Sequence, residues 1–306
     1  MRTSRLAIAL VLALGAAAEG QHGGGPAEIH HIHGLALDAR DPEILLVATH
    51  TGLVRLRPGA PPEWVGAHRF DLMGFTPHPG RPDLVFASGH PDLATYRKEG
   101  VGNLGLLVSR DGGRTWRSVA LRGDADFHAL TYSPRDGGQI YGWSVSPPTG
   151  LHRIATTTWA VTSLPTRGLP GALALAASPD PAGPLLAGTK AGLMVSPDGG
   201  ATWTAVVGAV SGVPVTAVAF HAADPRRVYA YALRADLGLL VSRDGGTTWA
   251  PTGFAAGADA PVVALVAGPG EHVVVATGRA DVFRSRDGGR AWQRVVEGGR
   301  PVAGAR

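Results

Sequence analysis

The chain contains no cysteine. That absence removes disulfide scaffolds, thiolate metal sites and cysteine nucleophiles together. Aromatic residues make up only 6% and charged residues 17% of the 306 positions. Lysine is nearly missing, with Lys98 and Lys190 its two occurrences, so the basic side chains are almost all arginine. No Lys/Arg run or basic–aromatic interleaving occurs, which argues against nucleic acid or an anionic membrane as a partner. Past the N-terminus, no apolar run approaches the roughly 20 residues that a membrane-spanning helix needs. Wholesale disorder is excluded too, because 44% of the residues are hydrophobic and can build a core. Glycine and proline are abundant, at 44 and 24 residues. Such frequencies disfavour helical bundles and suggest many short strands joined by turns.

The N-terminus reads as an address. Arg2 and Arg5 precede the apolar stretch Leu6–Ala18, which ends in Gly15-Ala-Ala-Ala18. A charged head, a short apolar run and a small-residue end predict a signal peptide over 1–18, cleaved after Ala18. Without a cysteine for a lipid anchor, the expected product is soluble, secreted or periplasmic, with no stable membrane insertion. Its formal charge is then +2, from 26 basic and 24 acidic residues. Residues 19–28, including Gln21-His-Gly-Gly-Gly-Pro26, read as a flexible lead-in.

Four octapeptides repeat almost unchanged: Ser109-Arg-Asp-Gly-Gly-Arg-Thr-Trp116, Ser196-Pro-Asp-Gly-Gly-Ala-Thr-Trp203, Ser242-Arg-Asp-Gly-Gly-Thr-Thr-Trp249 and Ser285-Arg-Asp-Gly-Gly-Arg-Ala-Trp292. With Trp64 and Trp159 they form a series of six tryptophans spaced 52, 43, 44, 46 and 43 residues apart. Each repeat has the same internal order, seen in Val215–Phe220, Val228–Tyr231 and Gly238–Val241 ahead of the third octapeptide. Four short antiparallel strands at this period make a propeller blade. The expected fold is all-β, one six-bladed propeller over 29–298, with blades starting near Ile32, Met73, Phe127, Ala172, Val215 and Val262. Residues 299–306 are left as a C-terminal tail.

The octapeptides resemble the Asp-box, or BNR repeat, of sialidases, sortilin-type receptors, xyloglucan-degrading enzymes and photosystem assembly-factor propellers. The resemblance implies structural roles for Asp111, Asp198, Asp244 and Asp287, which would accept turn N–H groups. Trp116, Trp203, Trp249 and Trp292 would pack between blades. It also makes glycoside hydrolysis an obvious hypothesis, and bacterial chains with this resemblance often carry a glycosyl hydrolase label. Sialidases resemble one another in an arginine triad and a Tyr–Glu pair. Here Arg55-Leu-Arg-Pro58 lies after a third strand, and Leu169–Ala172, Ser211–Pro214 and Asp259–Val262 hold no arginine. Tyr229 and Tyr231 sit mid-strand with no Glu close in sequence. Other glycosidases need two facing carboxylates, and Asp71, Asp92 and Asp126 are the ones on suitable loops.

Histidine is the unusual resource. In a propeller, the loop before each first strand and the loop between second and third strands open on one face, where ligands usually bind. His30, His31, His33, His50, His68, His90 and His128 all fall there, in repeats one to three. His78, His152, His221 and His272 fall elsewhere. Strand alternation would place His31 and His33 on one side. Imidazoles with a carboxylate and no thiolate suit Zn²⁺, Cu²⁺, Ni²⁺ or Fe²⁺. The expected metal ligands are His31, His33, His50, His90 and His128, with Asp71 as ligand or supporting acceptor. His30, His68, Met73 and Trp143 are expected to line the same mouth, where Met73 could favour copper. The competing reading is a metal-free polar pocket for a small ligand, glycan or protein. The insertion Pro91–Asn103 is a candidate lid or contact surface. The chain is therefore expected to be a monomeric binding or assembly protein. A glycoside hydrolase or a receptor-like scaffold stand as alternatives, and whether it is an enzyme stays open.

Overall fold

The computed structural model describes residues 27–257 and 260–304. The expected signal peptide, most of the lead-in and the last two residues lie outside that range. Four sheets have four antiparallel strands each. The first contains β1 (Ile32–Leu37), β2 (Leu45–Thr49), β3 (Gly52–Leu56) and β4 (Glu63–Trp64). The second contains β5 (Asp71–Pro77), β6 (Val85–His90), β7 (Leu106–Ser109) and β8 (Arg117–Ala120), with helix α1 (Leu93–Glu99) between β6 and β7. The third contains β9 (Phe127–Ser133), β10 (Gln139–Ser144), β11 (Gly150–Ala155) and β12 (Val161–Ser163). The fourth contains β13 (Ala174–Ala177), β14 (Leu185–Thr189), β15 (Gly192–Ser196) and β16 (Thr204–Ala205).

The remaining strands form one sheet of nine, where separate fifth and sixth blades were expected. It runs through β17 (Val215–His221), β18 (Asp224–Ala232), β19 (Gly238–Ser242) and β20 (Ala250–Pro251). It continues with β21 (Val262–Ala267), β22 (Val273–Thr277), β23 (Val282–Ser285), β24 (Gln293–Glu297) and β25 (Arg300–Pro301). The join is a single parallel pairing of His221 with Ala267. The Ala222 N–H donates to the Ala267 carbonyl at 3.1 Å, and His221 Nε2 donates to the Gly270 carbonyl at 2.7 Å. Histidine at the outer end of β17 thus ties together two stretches that are otherwise ordered like the separate sheets.

The second strands show why the chain folds this way. β2, β14 and β22 are buried along their whole length, because neighbouring sheets cover both faces, so they read as continuous apolar runs rather than alternating ones. Six hydrophobic clusters lie between successive strand sets, and each packs one of the six periodic tryptophans. Trp116, for example, packs with Leu53 and Val65 of the first set and Phe70 and Leu107 of the second. Each large side chain buried there contributes roughly 1.5–3 kcal/mol of transfer free energy.

The octapeptide turns are stapled by their own side chains. Ser242 Oγ donates to Asp244 Oδ1 at 2.7 Å, and that oxygen accepts the Thr247 and Thr248 N–H groups at 3.1 and 2.8 Å. Trp249 Nε1 donates to the Gly246 carbonyl at 3.0 Å. Equivalent bonds form at Asp111, Asp198 and Asp287. The Thr248 hydroxyl and N–H, followed by Ser242, pull the Asp244 carboxyl down to about 2.

β1 touches β21 as well as β5, so the first strands form a ring. Its seam carries no shared strand among the described residues. Instead, Ile29, Val47 and Val54 pack against Val274 and Val282. Glu43 accepts from the buried Arg284 at 2.5 Å and from Arg286 at 2.6 Å. The Arg286 guanidinium is the main reason that Glu43 titrates at about 2, with Arg284 adding to it.

Candidate functional site

Strand ends from the first three sheets meet at the channel mouth. β1 can approach β5 because Gly34 has no side chain: a Cβ there would lie 2.7 Å from the Cβ of Phe75. In the second sheet the register sets Asp71 directly opposite His90. That approach also requires glycine, since a Cβ on Gly89 (φ +147°) would come within 1.8 Å of the Asp71 carbonyl oxygen. His50 sits at the tip of the β2–β3 hairpin, which is held by the Thr49 hydroxyl donating to the Gly52 carbonyl at 2.8 Å.

Two bulges aim the remaining imidazoles. The β1 pairing skips from Ile32 to Gly34, and the β9 pairing skips from Phe127 to Ala129. A bulge turns one side chain out of strand alternation. The skipped residues are His33 and His128, and both line a central cavity of about 90 Å³ bounded by all six first strands. The lining of that cavity from β13, β17 and β21 is aliphatic.

Asp71 is the hub. It is 7% exposed. Its Oδ1 faces His33 Nε2 at 3.4 Å, and its Oδ2 faces His50 Nδ1 at 3.4 Å and His90 Nδ1 at 3.2 Å. One donor atom each from His33, His50 and Asp71 lies within 4.8 Å of the other two. His33 Nε2 and Asp71 Oδ1 are buried without a hydrogen-bond partner. Buried polar atoms are nearly always satisfied, so this pair is available to a ligand. Three such donors could hold a metal ion.

A second carboxylate stands beside the first. Asp126, 6% exposed, accepts from His128 Nε2 at 3.0 Å and faces His90 Nε2 at 3.5 Å. His90 therefore lies between two aspartates. Hydrogen bonds to Asp126 and then Asp71 raise it to about 10. Burial has the opposite effect on His33, lowering it to about 4, against a smaller upward pull from Asp71. Burial alone would raise the Asp126 carboxyl, but His128 and His90 hold it well below the carboxylate range. Burial and the carboxylates thus push His33 and His90 in opposite directions within one cluster.

Several expected positions come out differently. His31 was paired with His33 by strand alternation, but it precedes β1 with φ +48°, and the bulge at His33 breaks the alternation again. The imidazole whose donor atom joins those of His33 and Asp71 is His50, and the His31 ring also contacts it, 5.8 Å from the His50 ring against 5.9 Å for His33. His30 is exposed and bonded to Glu28 at 3.2 Å. His68 is exposed, edge-on to Phe70 at 5.5 Å. Met73 is buried in β5 across from Ser88, and Trp143 packs against the cluster of Leu151 and Leu175. Both are packing residues. The insertion contains α1 rather than irregular loop. Asp92 caps that helix by accepting the Thr95 N–H at 2.7 Å, which removes it from the candidate carboxylate pair. Tyr229 does have a carboxylate in space: burial raises its phenol and Glu271 adds to the effect. Glu271 is bonded to Arg227 at 2.7 Å and Tyr229 is fully buried, so the pair is structural.

The sequence offers Asp126 as a hydrolase carboxylate, and the structure makes it a partner of imidazoles. Aligning the repeats reveals it, because Asp71-Leu-Met73 and Asp126-Phe-His128 are successive copies of one segment. A larger cavity, of about 510 Å³, lies at the seam between Pro58, Pro62, Arg284 and Pro301 and involves none of these histidines. No helix among the described residues is long and apolar enough to cross a membrane.

No protein-family model matches the chain. No curated protein matches it either. Among solved structures, it is similar to the extracellular domain of the one-component system BT4673 from B. thetaiotaomicron, with TM-score 0.57 and 11% identity over 89% of this chain. It spans 35% of that longer chain. It is also similar to YCF48 bound to D1 peptide, with TM-score 0.50 and 15% identity over 89% of this chain and 84% of the other. A GH74 enzyme from Niastella koreensis aligns at a TM-score of 0.38 and 16% identity, covering 90% of this chain and 38% of that one, too low to carry an argument. At these identities the likeness extends to architecture alone: the chain is an all-β protein of four-stranded antiparallel blades in a propeller arrangement.

Proposed function

We propose that this chain is an exported metal-binding propeller that holds a divalent transition-metal ion through His33, His50 and Asp71. The carrying observation is the convergence of these three donors with His33 Nε2 and Asp71 Oδ1 buried and unpartnered. Two imidazoles and one carboxylate suit Zn²⁺, Fe²⁺, Cu²⁺ or Ni²⁺ and leave coordination positions for an outside ligand. We read the nine-stranded sheet as two blades sharing one bridge, which makes six blades, and the octapeptide turns as Asp-boxes. The site would act in binding or assembly. In a hydrolase of paired carboxylates, Asp71 and Asp126 would need to face substrate, yet the Oδ2 atom of each already faces imidazole nitrogens.

The test is metal content by mass spectrometry on untagged protein, after reconstitution with each of the four ions and removal of excess. Bound metal should survive in the wild type, and a His33→Ala/His50→Ala variant should lose at least one equivalent. Wild-type protein that retains none of the four ions overturns the reading and leaves a metal-free polar pocket.

A further inference from the structure

The triad leaves half of the mouth cluster unused. Rotating by one repeat carries His50 to His90 and Asp71 to Asp126, since each histidine ends or directly follows a second strand and each aspartate precedes the same first-strand position. The contact recurs as well: His50 meets Asp71 at 3.4 Å and His90 meets Asp126 at 3.5 Å. The copy is incomplete at one point, where Met73 stands in the place of His33, and there the third imidazole comes from His128, 3.0 Å from Asp126.

One ion cannot use all of these donors. The two nitrogens of His90 point apart, Nδ1 to Asp71 and Nε2 to Asp126, so the carboxylates lie on opposite edges of one imidazole ring. Metal–oxygen bonds of about 2.0–2.2 Å do not span that ring. Asp126 also has a donor to spare, because its Oδ1 is buried without a hydrogen-bond partner in a side chain 9% exposed. An unsatisfied buried carboxylate oxygen is unfavourable unless something binds it. The backbone there is anchored, with the Asp126 and Phe127 N–H groups donating to Ser144 Oγ and Ser88 Oγ at 3.1 and 3.2 Å. His90 and His128 are more than a third exposed on their side chains and have room to close on an ion beside it.

We propose that the mouth holds a second divalent transition-metal ion, bound by Asp126 and His128, with His90 as a ligand shared between the two ions. This rests on the triad reading above. When His90 binds both ions, each of its nitrogens gives up its proton to solvent and each N–H bond is replaced by an N–metal bond, with no change of oxidation state.

Copper or zinc titration of untagged wild type, His50→Ala and His128→Ala tests it, with bound metal counted per chain. Wild type should bind about two equivalents and each variant about one, since each loses a ligand of a different site. In the Cu²⁺ form, the electron paramagnetic resonance spin count of the wild type should fall below its copper content, and in His128→Ala the two should agree. One equivalent in the wild type, lost with His50→Ala and kept with His128→Ala, overturns the second site and leaves the triad standing. One equivalent lost with either variant means a single shared ion and also overturns it. Two equivalents unaffected by His128→Ala mean surface binding, and no metal at all overturns both readings.

Discussion

Repeats one to three and repeats four to six share a scaffold but differ at the residues it presents. The hairpin Thr49-His-Thr-Gly52 matches Thr189-Lys-Ala-Gly192, and both threonine hydroxyls donate to the glycine carbonyl at 2.8 Å. The bulge that presents His33 and His128 recurs at Thr216 and Val263. Two residues before His33, Met73 and His128 stand His31, Asp71 and Asp126, whereas two residues before Leu173, Thr216 and Val263 stand Gly171, Pro214 and Pro261. The backbone devices that aim side chains at the mouth therefore belong to the fold. Chemistry enters only through which residue occupies them.

The largest effect should come from Gly89→Ala. The new Cβ would meet the Asp71 carbonyl at 1.8 Å, so β5 and β6 must separate, with a loss of more than about 3 kcal/mol in urea unfolding. Metal affinity should fall with it, because the Asp71–His90 pairing is the broken register.

His50→Lys makes the first hairpin resemble the fourth. It should weaken metal binding by about 100-fold or more in chelator competition, as expected for a lost ligand. Stability of the metal-free protein should change by less than about 0.5 kcal/mol, because His50 is exposed. The reciprocal Lys190→His should create no binding, since Gly171 and Pro214 provide no carboxylate. Equal affinity in both variants would break the comparison.

Thr49→Val and Thr189→Val test the shared scaffold. Each removes a buried hydroxyl with the same partners, so each should cost about 1–3 kcal/mol by denaturant unfolding. Metal binding should suffer only in Thr49→Val.

The smallest effect is on pH dependence of the chelator-treated protein. His33 is lowered to about 4, so the unfolded chain binds its proton first as pH falls from 6.5 towards 4, and stability declines across that window. His90 is raised to about 10, so its contribution is full below 6.5 and is lost as pH rises through 10. Stability should peak near neutrality, and His90→Ala should flatten the alkaline limb while leaving the acid limb in place. Glu43, at about 2, adds acid loss below its ordinary value of 4.5, from the seam rather than the mouth.

Much of the architecture was legible in the chain because its signals are local. The first strands begin at Ile32, Asp71, Phe127, Ala174, Val215 and Val262, within two residues of the positions read from the repeat. Helix α1 was not legible, since seven residues with no buried side chain carry no apolar periodicity. The parallel join at His221 was hidden because it depends on contact between neighbouring repeats. At the mouth, His33, His50, His90, His128 and Asp71 were legible as candidates, but the place of Asp126 among them and the pairings were not. Alternation suggested His31 with His33, whereas a left-handed residue and a bulge set His33 beside His50.

The sequence by itself determined the repeat period, the stapled turns, the tryptophans between strand sets and the supply of histidines to three repeats. Each depends on hydrogen bonds or apolar patterns a few residues long. Only the tertiary structure decided that Asp71 and Asp126 share His90, that the ring closes through Glu43 and Arg284, and which imidazole faces which carboxylate. Those outcomes follow from register, bulges and close glycine contacts between strands tens of residues apart, where a shift of one residue would turn each donor away.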